Sequence, residues 1–370
     1  MTTLETISTI DDIVTLVKAG FTNWRQFGYV TTKQSGDLIL FNYTAGAQYK
    51  GDWNFFERVS RGLIIHTKTG EIVARPFDKF FNWGEGERFS TAPIKYVAEK
   101  IDGSMVFTYI CGEEICFATR GSFDSDQAKW AKEFFYDDMS SGEIEEFAEM
   151  FRDYTCIFEV FYPENRIVLE YENNGLFLLA IRNRHTGEYL DHRLIRHFEY
   201  YFNHTFDIVN GDMGQLKTVE SVLDECQTHL GIEGYVVEFA DGQRFKFKTP
   251  EYLRLHKLIY SLSFNGVLSS LRDGTLDGYI AEIPDEFLGD VRRWVSQINT
   301  QVEAVKADVE RAFSGAPKES RKDFSVWVQA NHSRLKSYLF CMLDGGDIRQ
   351  SIYVKHEFKK GWITLTHNGF

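Results

Sequence analysis

Hydrophobic and polar positions divide the chain into two regimes that meet near residue 252. Before it, short runs alternate with a period of two, the spacing that sends successive side chains to opposite faces of a strand. These runs are 38–43, 63–66, 105–110, 115–119, 156–161, 166–171, 176–182, 235–239 and 244–248. Tight-turn sequences separate several of them: Cys-Gly-Glu-Glu at 111–114, Asn-Asn-Gly at 173–175 and Asp-Gly at 241–242. Such turns join neighbouring strands antiparallel. Two helices interrupt the strand pattern, one over 10–18 with Thr9 or Asp11 as its cap and one over 126–135.

After residue 252 the period changes. Phe287, Val291, Trp294, Ile298, Val302, Val305, Val309 and Ala312 recur at spacings of three and four, the stripe of one long amphipathic helix. The stripe is either a buried face within a helical domain or a surface for a partner helix. A second helix is predicted over 323–343, ended by Gly345 and Gly346, which suit a left-handed helix terminus. The pattern therefore predicts an α+β protein: an antiparallel-sheet domain over 1–252, then a mostly helical domain over 253–370.

Composition narrows the class. The 43% hydrophobic and 26% charged content is that of a globular chain, and no apolar run approaches the roughly 20 residues of a membrane helix. The first residues carry no basic start and are interrupted by Glu5, Asp11 and Asp12, unlike a signal peptide, so a cytoplasmic location is expected. Five scattered cysteines (Cys111, Cys116, Cys156, Cys226, Cys341) lack zinc spacing and read as reduced thiols, with the first two flanking a hairpin turn at Gly112. The net charge of −13 means that the whole-protein field repels nucleic acid. The acidity is uneven: residues 251–370 hold 16 Lys+Arg against 15 Asp+Glu, leaving 25 against 39 in residues 1–250. Any nucleic-acid groove must then be a local basic patch whose binding is salt-sensitive.

Candidate chemistry begins at Glu-Lys-Ile-Asp-Gly-Ser, residues 99–104, between an apolar stretch and a predicted strand. Thr-Arg-Gly-Ser (119–122), Ile-Phe-Glu-Val-Phe (157–161), Glu-Gly-Tyr-Val-Val (233–237) and Lys-Phe-Lys (246–248) follow in order. Together these resemble the motifs of the covalent nucleotidyltransferases, the superfamily of DNA ligases, RNA ligases and mRNA capping enzymes. Ser-Arg-Gly-Leu-Ile-Ile (60–65), Ala-Arg-Pro-Phe-Asp-Lys-Phe-Phe-Asn (74–82) and Pro-Glu-Asn-Arg-Ile-Val-Leu (163–169) are similar to segments of the phage-type RNA ligase 1 family. The likeness spans roughly residues 55–260; the helical tail is similar only in position and character.

The resemblance implies an ATP-dependent RNA ligase that joins a 5′-phosphate to a 3′-hydroxyl through a lysyl-AMP and an RNA-adenylate. ATP and Mg2+ would serve it, with Mn2+ as a second candidate, and its partners would be single-stranded or tRNA-like RNA ends. A monomer is expected, acting in the host cytosol if phage-encoded. The same likeness implies Lys100 as nucleophile, Glu159 on the nucleotide ribose, and Arg61, Lys79 and Phe81 around the ATP phosphates and nucleoside. It also carries Glu99, Ile101, Asp102, Gly103, Glu233, Lys246, Lys248 and Tyr252 into the ATP site. Arg120 stands where close relatives have lysine, keeping the charge but offering a bidentate fork.

Physical chemistry reads the same residues independently. An amine attacking phosphorus must be neutral, and neighbouring cations favour that form, for which Arg61, Lys79, Arg120, Lys246 and Lys248 are available. A two-residue turn at Asp241-Gly242 would pair Val237 with Lys246 and Tyr235 with Lys248, setting Glu233, Lys246 and Lys248 on one face, Phe245 and Phe247 on the other, and Glu238 opposite the charged face. Glu159 interrupts an apolar strand, where an unpaired carboxylate is costly. Asp102 and Glu233 offer hard oxygens for magnesium. The alternatives are a capping guanylyltransferase or DNA ligase of the same superfamily, or a non-catalytic RNA-end-binding protein.

Overall fold

A computed structural model describes the chain except for residues 1–4, 172, 203–205, 210–213, 215, 260–261, 284–286 and 361–370. It divides into two units, Met1–Tyr260 and Ser261–Phe370. The helix Pro250–Ile259 stays with the first unit, so the division falls one helix beyond residue 252.

The alternating runs of the first unit build three sheets. The first joins β1 (Val30–Ser35), β2 (Leu38–Tyr43), β3 (Arg61–His66) and β4 (Ile72–Ala74) in that order, all antiparallel. The other strands are β5 (Phe81–Asn82), β6 (Ile94–Lys100), β7 (Ser104–Cys111), β8 (Glu114–Thr119), β9 (Tyr154–Phe161), β10 (Gly175–Asn183), β11 (Asp207–Ile208), β12 (Gly234–Phe239) and β13 (Arg244–Lys248). The second sheet has the order β11-β10-β9-β7-β8 and the third β5-β13-β12-β6. β6 and β7, adjacent in sequence, thus belong to different sheets, and only Ile101, Asp102 and Gly103 connect them.

Each sheet buries the face that its alternation makes apolar. Helix Ile10–Lys18, capped by Thr9 in a reciprocal box with Asp12, sets Ile13 and Val17 against Phe41, Phe56 and Trp24. Leu40, Ile64 and Ala74 of the first sheet meet Phe107, Ala118 and Ile157 of the second. Helix Asp126–Asp138 covers the second sheet's far face through Ala128, Ala131 and Phe135. The third sheet sets Tyr235, Val237, Phe245 and Phe247 on helix Val219–Thr228, at Val222 and Cys226. Burying one such large apolar side chain contributes about 1.5–3 kcal/mol.

Three local expectations fail for physical reasons. Residues 166–171 do not form a strand, because the amides of Val168 and Leu169 donate to the Asp102 carboxylate instead of to a neighbouring strand. The β12–β13 register is shifted by one: Val236 faces Lys246 and Gly234 faces Lys248. The cause is a three-residue loop, with the Gly242 amide donating to Phe239 and Gly242 at φ +82, in place of a two-residue turn. Helix 323–343 is two helices, Arg321–Asn331 and Lys336–Leu343, separated at His332, whose φ of −142 is not helical. Asn, His and Ser at 331–333 are weak helix formers, and the Asn331 side chain turns back to the Trp327 carbonyl.

The second unit carries the predicted stripe on helix Leu288–Ser314, where Val291, Trp294, Ile298, Val302, Val309 and Ala312 are buried. The helices Phe264–Arg272 and Ile348–Lys355 pack on it, which settles the stripe as an internal face. All five cysteines are free thiols. Among the described residues no helix is long and apolar enough to cross a membrane.

Candidate active site

Lys100 ends β6 at the crossing from the third sheet to the second, so its position is fixed by two sheets at once. Pairing β6 with β12 places Lys100 opposite Gly234, on the face that carries Lys246 and Lys248 of β13. Glu233 joins that face because Gly234 breaks the alternation. Its φ of +145 is a glycine conformation, and a Cβ there would lie 2.0 Å from the Phe247 carbonyl oxygen.

The result is a buried ion triad. Lys100 Nζ lies 2.7 Å from Glu233 Oε2 and Lys248 Nζ 3.0 Å from Glu233 Oε1, with the Glu233 side chain only 3% exposed. Burial pushes the Glu233 pKa up, but the two ammonium groups outweigh it and hold the carboxylate below its ordinary range. Lys100 remains 21% exposed, enough for a ligand to reach it.

Asp102 organises the crossing. Its Oδ2 accepts from the amides of Val168 (2.9 Å) and Leu169 (2.7 Å), and its Oδ1 from the Tyr252 hydroxyl (2.7 Å). Its own amide donates to the Tyr171 hydroxyl at 2.9 Å. Gly103 passes so close to β9 that a Cβ would lie 2.5 Å from the Val160 carbonyl oxygen. Ser104 donates to Asn165, whose amide donates to that same Val160 carbonyl, so the 163–169 segment is laced onto the 100–104 segment. Lys248 lies over the Tyr252 ring, 5.3 Å from its centroid, which links this network to the triad.

Glu159 lies on β9 opposite Met105 of β7. Its carboxylate is buried. Burial pushes its pKa up to about 7; Lys100 and Arg61 pull it down, while Glu233 and Asp102 push it further up. Arg61, at the start of β3, directs one guanidinium nitrogen to Met105 Sδ at 3.0 Å.

The remaining sequence candidates extend outward along an aromatic ledge. Arg120 lies 4.8 Å from the Tyr43 ring, Tyr43 meets Trp53 edge-on at 4.9 Å, and Trp53 meets Phe81 at 5.8 Å. The Lys79 ammonium lies over both Trp53 (5.3 Å) and Phe81 (5.4 Å). Lys246 and Arg61 each lie 5.8 Å from the Phe80 ring. Glu99 pairs with Tyr235 and so points away from Lys100, toward His229; burial raises its pKa. Ile101 is buried with Ala98 and Phe161 as a packing residue.

Glu238 requires a correction. The shifted register puts it opposite Arg244, on the same face as Lys246 and Lys248 rather than the reverse. Burial would raise its pKa, yet contacts with His192, Arg244 and Lys95 hold it at about 2. Sequence reading gave no individual role to Asn165, quoted only within the 163–169 segment, or to Tyr171. The turn residues Pro163 and Asn165, directly after an apolar strand, hint at a built loop there.

For a divalent cation, Glu233 and Asp102 supply hard oxygens, those of Glu233 held by Lys100 and Lys248 and those of Asp102 by the Tyr252 hydroxyl and two backbone amides. Among the described residues no three His, Cys, Asp or Glu side chains converge on one point. This arrangement fits magnesium, which commonly takes one or two carboxylates and completes its shell with phosphate oxygens and water.

Comparison with known proteins places the chain by sequence. A family described as RNA ligase matches residues 59–252. The "RNA ligase 1" of Bacteriophage TS2126 is 31% identical over 215 residues, covering 55% of this chain and 52% of the phage protein. The "RNA ligase" of Rhodothermus phage RM378 is 24% identical over 395 residues, covering 86% and 87%. A Naegleria gruberi RNA ligase structure with PPi superposes on 45% of this chain and 52% of that one, at 19% identity and a TM-score of 0.36. The chain thus spans about half the length of some curated relatives it matches and most of another.

Proposed function

We propose that this chain, which belongs to the phage-type RNA ligase family, is an ATP-dependent enzyme joining RNA 5′-phosphate and 3′-hydroxyl ends in the cytosol, as a monomer acting on single-stranded or tRNA-like RNA. The observation that carries this reading is Lys100 held at 2.7 Å from a buried glutamate that also holds Lys248.

The chemistry follows from that triad. Lys100 Nζ, once it has shed a proton to solvent, bonds to the α-phosphorus of ATP while the bond to the bridging oxygen breaks and pyrophosphate leaves. Glu233 must let go of Lys100 for this, since an ion-paired ammonium has no free electron pair. The triphosphate is itself an anion that can take the place of Glu233 beside Lys100 and Lys248, and a divalent cation, if bound, would supply positive charge at the Glu233 carboxylate. Magnesium would be held by Glu233 with phosphate oxygens and water, and would neutralise charge there; Asp102, clamped by Tyr252 and two amides, orients the loop beside it.

In the second step an RNA 5′-phosphate oxygen bonds to the same phosphorus, the phosphorus–nitrogen bond breaks and Nζ regains a proton. In the third, an RNA 3′-hydroxyl loses its proton, attacks the 5′-phosphate and expels AMP. Lys248, Lys246 and Arg61 supply positive charge through all three steps, and fixed charges cost no reorganisation when charge develops. Glu159 faces the same space as an acceptor suited to a ribose hydroxyl.

Incubation with α-labelled ATP or GTP and magnesium, followed by denaturing electrophoresis and pyrophosphate challenge, tests this reading. Label from ATP, removed by pyrophosphate, is expected. Label from GTP alone would favour a capping guanylyltransferase, and no label at all a binding protein.

A further inference from the structure

Along β13, Arg244, Lys246 and Lys248 alternate onto one face, and Lys248 belongs to the buried triad. Arg244 stands ~13 Å further along the strand, at about 3.3 Å per residue. Lys79 and Phe81, which the family likeness sets around ATP, also line the space beside it. There Arg244 walls a cleft of about 340 Å³.

The cleft reverses the protein's charge. Arg58, Lys79, Arg88, Arg182 and Arg244 line it against the single carboxylate of Asp78, in a chain of net charge −13. Arg182 is neutralised by Asp78 and Arg244 by Glu238. Arg88 donates only to the carbonyls of Glu85 and Gly51, and Arg58 is exposed; neither has a carboxylate partner among the described residues. Trp53 and Phe80 offer rings between these cations, whereas the Tyr189 ring is already covered by Arg244 and stacked on Phe77. Phe80 also carries Lys246 and Arg61, so the cleft wall is continuous with the cations around Glu159 and Lys100.

Rings interleaved with uncompensated arginines are what a single nucleic-acid strand requires, bases on the π-faces and phosphates on the cations. In-line displacement decides which strand. Lys100 attacks opposite the departing pyrophosphate, so the 5′-phosphate that later displaces Lys100 arrives from the side pyrophosphate left. We propose that the cleft holds the nucleotides next to the 5′-phosphate of the strand being activated, with Arg58 and Arg88 on their phosphates. This rests on the ligase reading above, and it locates the local basic patch that the acidic chain needs.

The test uses the full chain and a short 5′-phosphorylated single-stranded oligoribonucleotide, with binding read by fluorescence anisotropy across a salt series. The Arg58→Ala, Arg88→Ala double variant should bind at least tenfold more weakly. Its log K against log salt should be shallower by about 1.4, two contacts at about 0.7 each for single strands. An unchanged Kd and slope would overturn the proposal. A photoreactive base beside the 5′-phosphate should cross-link to the peptide bearing Trp53 or to that bearing Phe80. Cross-linking there only from a base at the 3′-hydroxyl end would overturn the strand assignment. Binding is read without chemistry, so absent lysyl-AMP labelling in the wild-type chain would count against the ligase reading alone.

Discussion

Glu159 is a carboxylate enclosed by an apolar strand, and its burial makes the protein's stability depend on pH. Its pKa is about 7 in the fold against an ordinary 4.5, so between those values the folded chain binds more protons than the unfolded one. Stability from this group is therefore full below about pH 4.5 and falls as pH rises through about 7. Glu159→Gln removes the cost of charging and should be more stable than the wild type at pH 8, by up to about 3.5 kcal/mol at 1.4 kcal/mol per pKa unit. The gap should close at pH 5; urea unfolding at the two values checks it, and equal stability at pH 8 would refute the burial argument. Lys100→Ala should form no covalent AMP yet still seal RNA that already carries a 5′-adenylate, which bypasses the first step; undiminished protein labelling would eliminate Lys100 as the nucleophile. Lys100, Glu233 and Lys248 could be singled out because charged residues recur beside apolar runs in three short motifs, and the structure brings Glu233 within 3.0 Å of both lysines. Tyr171 and Asn165 could not be, since a hydroxyl and an amide acquire their roles only when a loop folds back across 61 to 69 residues of sequence.

The β12–β13 hairpin shows how one residue in a turn redistributes charge over a sheet. Asp241-Gly242 reads as a two-residue turn or as the end of a three-residue loop; the first would set Glu238 across from Phe245, whereas the second keeps Tyr235 and Val237 with Phe245 and Phe247 in the core. The longer loop moves Glu238 onto the charged face, where it holds Arg244 and Lys95. Glu238→Ala, expected to be near neutral from the sequence alone, should instead cost about 1–3 kcal/mol, because it strands a buried guanidinium. Chemical denaturation of the variant measures this, and a loss below 0.5 kcal/mol, the ordinary range for a surface change, would contradict the observed register. Gly234 is the second element-scale device. Gly234→Ala must move the backbone of β13 away from a contact of 2.0 Å, carrying Lys248 off Glu233, so lysyl-AMP formation should fall along with stability. Retention of both would show that the kink at Gly234 is not what directs Glu233 toward Lys100.

At the scale of the whole chain, the change from a period of two to a period near four located two units, but not the edge between them. Helix Pro250–Ile259 has helical periodicity and by pattern belongs to the tail, yet Tyr252 ties it to Asp102 through a hydroxyl, a bond that no periodicity reveals. The first unit, Met1–Tyr260, therefore holds every residue assigned to the three chemical steps, together with its own apolar cores. A chain ending at 260 is expected to unfold cooperatively and to form lysyl-AMP, whereas one ending at 249 should lose that activity, because it removes Tyr252 and leaves Asp102 Oδ1 without its donor. Far-ultraviolet circular dichroism and thermal melts establish that each fragment is folded before labelled ATP is added. If the shorter fragment is folded and labels as well as the longer one, the Tyr252–Asp102 bond does not position the loop that follows Lys100. If the longer fragment is folded and silent, residues beyond 260 take part in adenylylation, and the assignment of all the chemistry to the first unit is wrong.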